Sequence, residues 1–137
     1  MGTRSIIKFI KNDKPVCAVY QQFDGYLSAV GAELAEFLAS GRMVNGIPVG
    51  SGDRMFNGIG CLAAQYIAAV KKEAGGLYLY PVDCGDEECN YEVHADYGPG
   101  MQPLPVRVTY KGYEGKFDGS VSDFQAFIKE KTSAEAE

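Results

Sequence analysis

Cys61 is the residue whose surroundings would most sharpen its chemistry. It lies in Phe56-Asn57-Gly58-Ile59-Gly60-Cys61-Leu62-Ala63-Ala64-Gln65, a glycine-rich turn that delivers a thiol to the first turn of an expected helix. Unpaired N–H groups and the positive end of the helix dipole stabilise a thiolate there, which makes Cys61 a candidate nucleophile. The single histidine, His94, falls on a later expected strand. That is the order of a thiol hydrolase in which a helix-borne thiolate attacks and a strand-borne imidazole moves the proton. In this reading Asp96 orients the imidazole and Gln21 or Gln22 donates to an oxyanion. Two features weigh against it. A cysteine beside alanines commonly packs as a small apolar group, and strand alternation puts His94 on a polar face, away from the helix layer.

Other residues invite metal or ligand chemistry. Glu92, His94 and Asp96 leave one face of a strand together, and Cys84 and Cys89 stand a short step upstream. An ion would need further ligands from elsewhere, the cysteine spacing fits no zinc knuckle, and the acidic run Asp83 to Glu88 lacks the calcium-loop pattern, so no metal or cofactor is assigned. Phe23-Asp24-Gly25-Tyr26 is a turn in which Asp24 can bond its own backbone and Gly25 can take a positive φ. Its two aromatics flank a carboxylate, and with Arg54 and Asn57 of the glycine-rich segment from Arg42 to Gly60 they form the candidate pocket for a small ligand or a protein partner.

The elements that must hold these residues follow from periodicity. Ser5 to Lys11 and Val16 to Gln22 are β-rich runs around a polar turn, which predicts a hairpin. Ser28 is placed to cap a helix carrying Val30, Leu34, Phe37 and Leu38, and Gly41 is placed to stop it. The Arg42 to Gly60 segment, with two Asn-Gly pairs and Pro48, reads as loop. An alanine-rich helix from Cys61 to Ala74 ends at Gly75-Gly76. Strands then follow at Leu77 to Val82, Asn90 to Tyr97, Val106 to Lys111 and Tyr113 to Phe117, with alternation that leaves one face wet. Ser122 to Gln125 matches a capping box before Phe124, Phe127 and Ile128. The expected fold is α+β: a single-layer, mainly antiparallel sheet of about six strands, order ββ-αα-ββββ-α, with the helices packed on one face. Residues 1–131 form one domain, and 132–137 an acidic flexible tail.

Composition excludes several classes. The chain has 137 residues, 46% of them hydrophobic, enough for one domain with its own core, and no apolar run of the roughly 18 residues that span a bilayer. The start lacks the apolar core of a secretory signal, so a cytoplasmic protein without lipid or membrane attachment is expected. A net charge of −5 without clustered Lys and Arg argues against nucleic acid. The four cysteines are expected to be free thiols. Unpaired sheet edges allow a homodimer.

Met1-Gly2-Thr3-Arg4-Ser5, Tyr20-Gln21-Gln22-Phe23-Asp24-Gly25-Tyr26, Gly31 to Leu38 and Phe56 to Gln65 together resemble a family of small phage and bacterial proteins to which no activity is assigned. The resemblance spans roughly residues 1 to 98 and is contextual rather than chemical. It implies a phage or mobile-element setting in a bacterial host cell, and no mechanism. The functional expectation is therefore a binding protein that modulates a host protein or holds a small ligand by occupancy. A cysteine hydrolase using Cys61 and His94 is the alternative, and a metal-binding protein the third reading.

Overall fold

The computed structural model describes residues 3–46 and 54–136, with the backbone alone over 133–136. A six-stranded sheet forms the frame: β1 (Ser5–Lys11), β2 (Lys14–Gln21), β5 (Leu77–Tyr80), β6 (Cys89–His94), β7 (Arg107–Gly112) and β8 (Gly115–Ser120). Their spatial order is β5-β2-β1-β6-β7-β8, and every neighbouring pair is antiparallel except the central β1 and β6. The fold is α+β with helices packed against the sheet, as expected. The first hairpin closes through Asn12 and Asp13, both at positive φ (46° and 67°), the combination that matches the twist of a two-residue hairpin turn.

Alternation sorts the side chains. Ile7, Phe9, Val19, Tyr91, Val93, Val108 and Tyr110 enter the core, whereas Lys8, Glu92, Thr109 and Arg107, their neighbours along the strands, do not. The core face is covered by α1 (Ala32–Ala39), α2 (Ile59–Val70) and α3 (Val121–Ala136). The α2 helix lies over β1 and β2, where Tyr66 meets Phe9 at 6.1 Å between ring centres, and α3 lies over β7 and β8. No helix among the described residues is long and apolar enough to cross a membrane.

Four local expectations change. The helix expected after Ser28 begins earlier, as a π-helical turn, Leu27–Gly31, that runs straight into α1 and has no side-chain cap. The segment read as loop contains β3 (Gly41–Val44) and β4 (Arg54–Asn57), a small parallel pair; residues 47–53 between them lie outside the described residues. Four-residue strands bounded by glycine carry too little alternation to be seen in sequence. The last helix is capped by Ser120, whose Oγ accepts from Asp123 N at 3.2 Å, so it starts before the expected Ser122, and it runs through Thr132 to Ala136, where a tail was expected.

All four cysteines are free thiols. Cys89 is fully buried, and burial pushes its thiol up from the ordinary value while the Tyr110 hydroxyl pulls the other way. Cys89 is therefore expected to resist a thiol reagent in the folded protein and to react once denatured. Mass spectrometry of labelled peptides checks this. Native labelling of Cys89 at the rate of a free peptide thiol would contradict it.

Candidate functional site

The Phe23-Asp24-Gly25-Tyr26 turn is fixed from several sides. Gly25 N donates to Thr3 O at 2.9 Å, Tyr91 Oη donates to Gly25 O at 2.8 Å, and Val30 N donates to Asp24 O at 3.2 Å. The positive φ falls on Asp24 (57°) and not on Gly25. Glycine is required at 25 for space instead: a Cβ there would lie 2.6 Å from Ser5 Cβ and 3.0 Å from the Arg4 carbonyl carbon. Tyr26 Oη donates to Asp24 Oδ1 at 3.2 Å, and this bond to a carboxylate raises the tyrosine's pKa. Tyr26 thus anchors Asp24.

Asp24 and Phe23 border a cleft of about 470 Å³ between the turn, the start of α1 and the end of α2. Gln21 and Leu77, from the ends of β2 and β5, belong to its lining, as do Glu33 and Lys72. The α2 helix ends at Val70, where Lys71 turns extended, four residues short of the expected Ala74; the glycines serve the return instead, since Gly76 takes φ 87° and its carbonyl accepts from Gln22 N at 2.8 Å. Phe23 is 54% exposed, an aromatic side chain left at the rim without a cover. Gln21 is 6% exposed; its Nε2 donates to Tyr66 Oη at 3.2 Å, while its Oε1 is buried with no hydrogen-bond partner. Such an orphan costs about 1–3 kcal/mol, and it lies just behind the cleft wall.

The charges are mixed. Partial burial raises the Glu33 carboxyl, Lys72 across the cleft opposes that rise, and Glu36 adds to it. The Tyr66 hydroxyl behind Gln21 is driven strongly upward by burial, and by the Glu33 charge, so it stays protonated and serves as a hydrogen-bonding group. A small polar molecule carrying both signs, with an apolar portion for Phe23, fits these walls.

The other two residues assigned to this pocket lie elsewhere. Arg54 Nη1 donates to Ser40 Oγ at 3.0 Å and its guanidinium lies 5.2 Å from the centre of the Phe37 ring. Asn57 Oδ1 accepts from Gly46 N at 2.9 Å. Both tie the β3–β4 unit together. The second wall comes from Val70 to Leu77 instead, which the sequence hid because only the β2–β5 pairing brings Gly76 to Gln22.

The thiol and the imidazole do not meet. Cys61 sits at the start of α2 on the helix side of the sheet, where Gln65 Nε2 donates to its Sγ at 3.4 Å. His94 lies on the opposite face in a polar row. Arg107 Nη2 donates to His94 Nδ1 at 3.3 Å, and His94 Nε2 contacts Glu92 Oε1 at 3.0 Å. A guanidinium has no acceptor, so Nδ1 must accept, which leaves Nε2 as the protonated nitrogen donating to Glu92. Thr109 Oγ1 also donates to Glu92, at 3.0 Å, and Arg107 pairs with Asp118 at 2.9 Å. Asp96 is not part of this row; its Oδ1 accepts from Asn12 N at 3.1 Å in the hairpin turn. His94 is 5% exposed and satisfied at both nitrogens, the state of a structural imidazole. Alternation puts Arg107 and Thr109 on the wet face with His94, but neither their contacts to His94 and Glu92 nor the part of Asp118 could be read from it.

Among the described residues no three or more His, Cys, Asp or Glu side chains gather as metal ligands. Glu87 and Glu88 of the acidic run pair with Arg4, at 3.7 and 3.4 Å. No protein-family model, no curated protein and no solved structure matches the chain.

Proposed function

We propose that the protein acts by occupancy, as a binding module whose site is the cleft between the Asp24 turn and the end of α2. The observation that carries this reading is Gln21: a buried amide with an unpartnered oxygen, in the lining of a cleft rimmed by an exposed phenylalanine and charges of both signs. Its occupant is a small zwitterionic molecule or the end of a short peptide. In the phage or mobile-element setting suggested by the sequence resemblance, that occupant belongs to the bacterial host, and the protein works in the host cytoplasm.

Titrating ¹⁵N-labelled protein with a library of small compounds that bear an amine and a carboxylate tests the reading. Hits are expected to shift the amides of Gln21, Phe23, Asp24, Lys72 and Gly76. Phe23→Ala should weaken a hit about five- to tenfold, the worth of one aromatic contact. Arg54→Ala and Cys61→Ala should leave it unchanged. Hits that map away from the cleft, or that bind Phe23→Ala as well as the parent, would remove the proposal.

A further inference from the structure

The β5 strand forms one edge of the large sheet and carries no charged side chain, whereas β8 at the other edge carries Lys116 and Asp118. Edges left without charge are open to pairing, and the charge nearest this one, the Lys71 ammonium, reaches it only at the Leu77 end. Gln22 N bonds Gly76 O, continuing a register in which Tyr20 opposes Tyr78 and Ala18 opposes Tyr80. Bonded and non-bonded pairs alternate in an antiparallel ladder, so Tyr78 and Tyr80 direct their N–H and C=O to β2, while Leu77 and Leu79 turn theirs to the open edge. Lys71 Nζ already donates to Leu77 O, at 2.7 Å. Among the described residues Leu79 N–H and C=O have no partner, and its side chain is 70% exposed.

We propose that β5 pairs antiparallel with β5 of a second copy of this chain, about a twofold axis at Leu79. In that register the two Leu79 residues exchange both hydrogen bonds, and Tyr78 of each copy stands opposite Tyr80 of the other. The stacked row in which Tyr20 lies 4.7 Å from Tyr80 and 6.3 Å from Tyr78 then continues across the axis. Charge complementarity selects a second copy as the occupant. The pairing sets the Pro81–Asp83 turn of one copy beside the Ala74–Leu77 segment of the other. There the Lys71 ammonium is held by the carbonyls of Ala74, Gly75 and Leu77 at 3.1, 3.2 and 2.7 Å. Among the described residues Lys71 has no carboxylate in salt-bridge range, and Asp83 of the second copy supplies one, twice by symmetry. Because Lys71 and Leu77 also belong to the cleft lining, the second copy adds Asp83 to the cleft's rim. The pairing itself does not depend on what the cleft holds.

Sedimentation velocity tests this. The contact is small, so association is expected at roughly 200 µM and dissociation at about 5 µM. Leu79→Lys should sediment as a monomer throughout, and Asp83→Lys should weaken the dimer about tenfold, both with unchanged circular dichroism. A wild-type protein that stays monomeric at the higher concentration overturns the proposal. So does a dimer that persists in folded Leu79→Lys or is equally tight in Asp83→Lys.

Discussion

Gly25→Ala is expected to destabilise the protein by about 3 kcal/mol, near the top of the range for overpacking a filled site. The added methyl would sit 2.6 Å from Ser5 Cβ and 3.0 Å from a main-chain carbon of Arg4, and neither can swing aside as a side-chain tip could. Ser5 is fully buried in β1, which is paired on both sides, so relief has to come from the turn. Moving the turn loosens the bonds from Gly25 N to Thr3 and from Tyr91 Oη to Gly25 O. The entropic gain of Gly→Ala in the unfolded chain, at most about 1 kcal/mol, does not offset this. Thermal unfolding should show a fall of about 10 °C. A variant as stable as the parent would mean that the close approach is not a real constraint. The same variant should weaken ligands of the cleft, because Phe23 and Asp24 ride on this turn.

Phe124→Ala is expected to cost about 3–5 kcal/mol, the usual range for removing a buried aromatic ring. Phe124 is fully buried, with ring centres 5.3 Å from Phe117 and 6.3 Å from Tyr91, and it pins α3 over β7 and β8. Ile128, one turn on, is the other buried residue of α3, but it is smaller and carries no ring to stack on Phe117 and Tyr91. Phe127 is only partly buried against the same core, and the intervening Gln125 and Ala126 are exposed. Urea unfolding should give a lower midpoint, with dye binding to the uncovered sheet before the main transition. Gln125→Ala, one residue along, should change stability by less than about 0.5 kcal/mol. Equal effects of the two substitutions would show that α3 is not anchored as described.

The frame was readable because its signals were long. The alternation of Tyr91, Val93, Val108 and Tyr110 gave the sheet's two faces, and the alanine-rich stretch after Cys61 gave a helix. What stayed hidden depends on pairing between distant segments. Nothing local says that β1 joins β6 in parallel, that Gly76 returns to Gln22, or that Arg54 reaches back to Ser40 and leaves the Asp24 turn to find its opposite wall at Lys72. The turn's own chemistry was half legible: its glycine was expected for a positive φ that the structure gives to Asp24, and the close approach to β1 that fixes Gly25 has no one-dimensional signature.

The central parallel pair sets the order in which the molecule can assemble. β1 and β2 are joined by a two-residue turn and can zip at once, on a microsecond scale. The other flank of β1, with Arg4 and Ile10 carbonyls that end up on Cys89 and Ala95, waits for a strand synthesised roughly eighty residues later. On a ribosome adding about 5–20 residues per second, that flank stands open for several seconds. Ile6 and Ile10 line it, with Lys8 between them and Lys11 just beyond. Those lysines guard the nascent hairpin against pairing with a neighbour until β6 arrives.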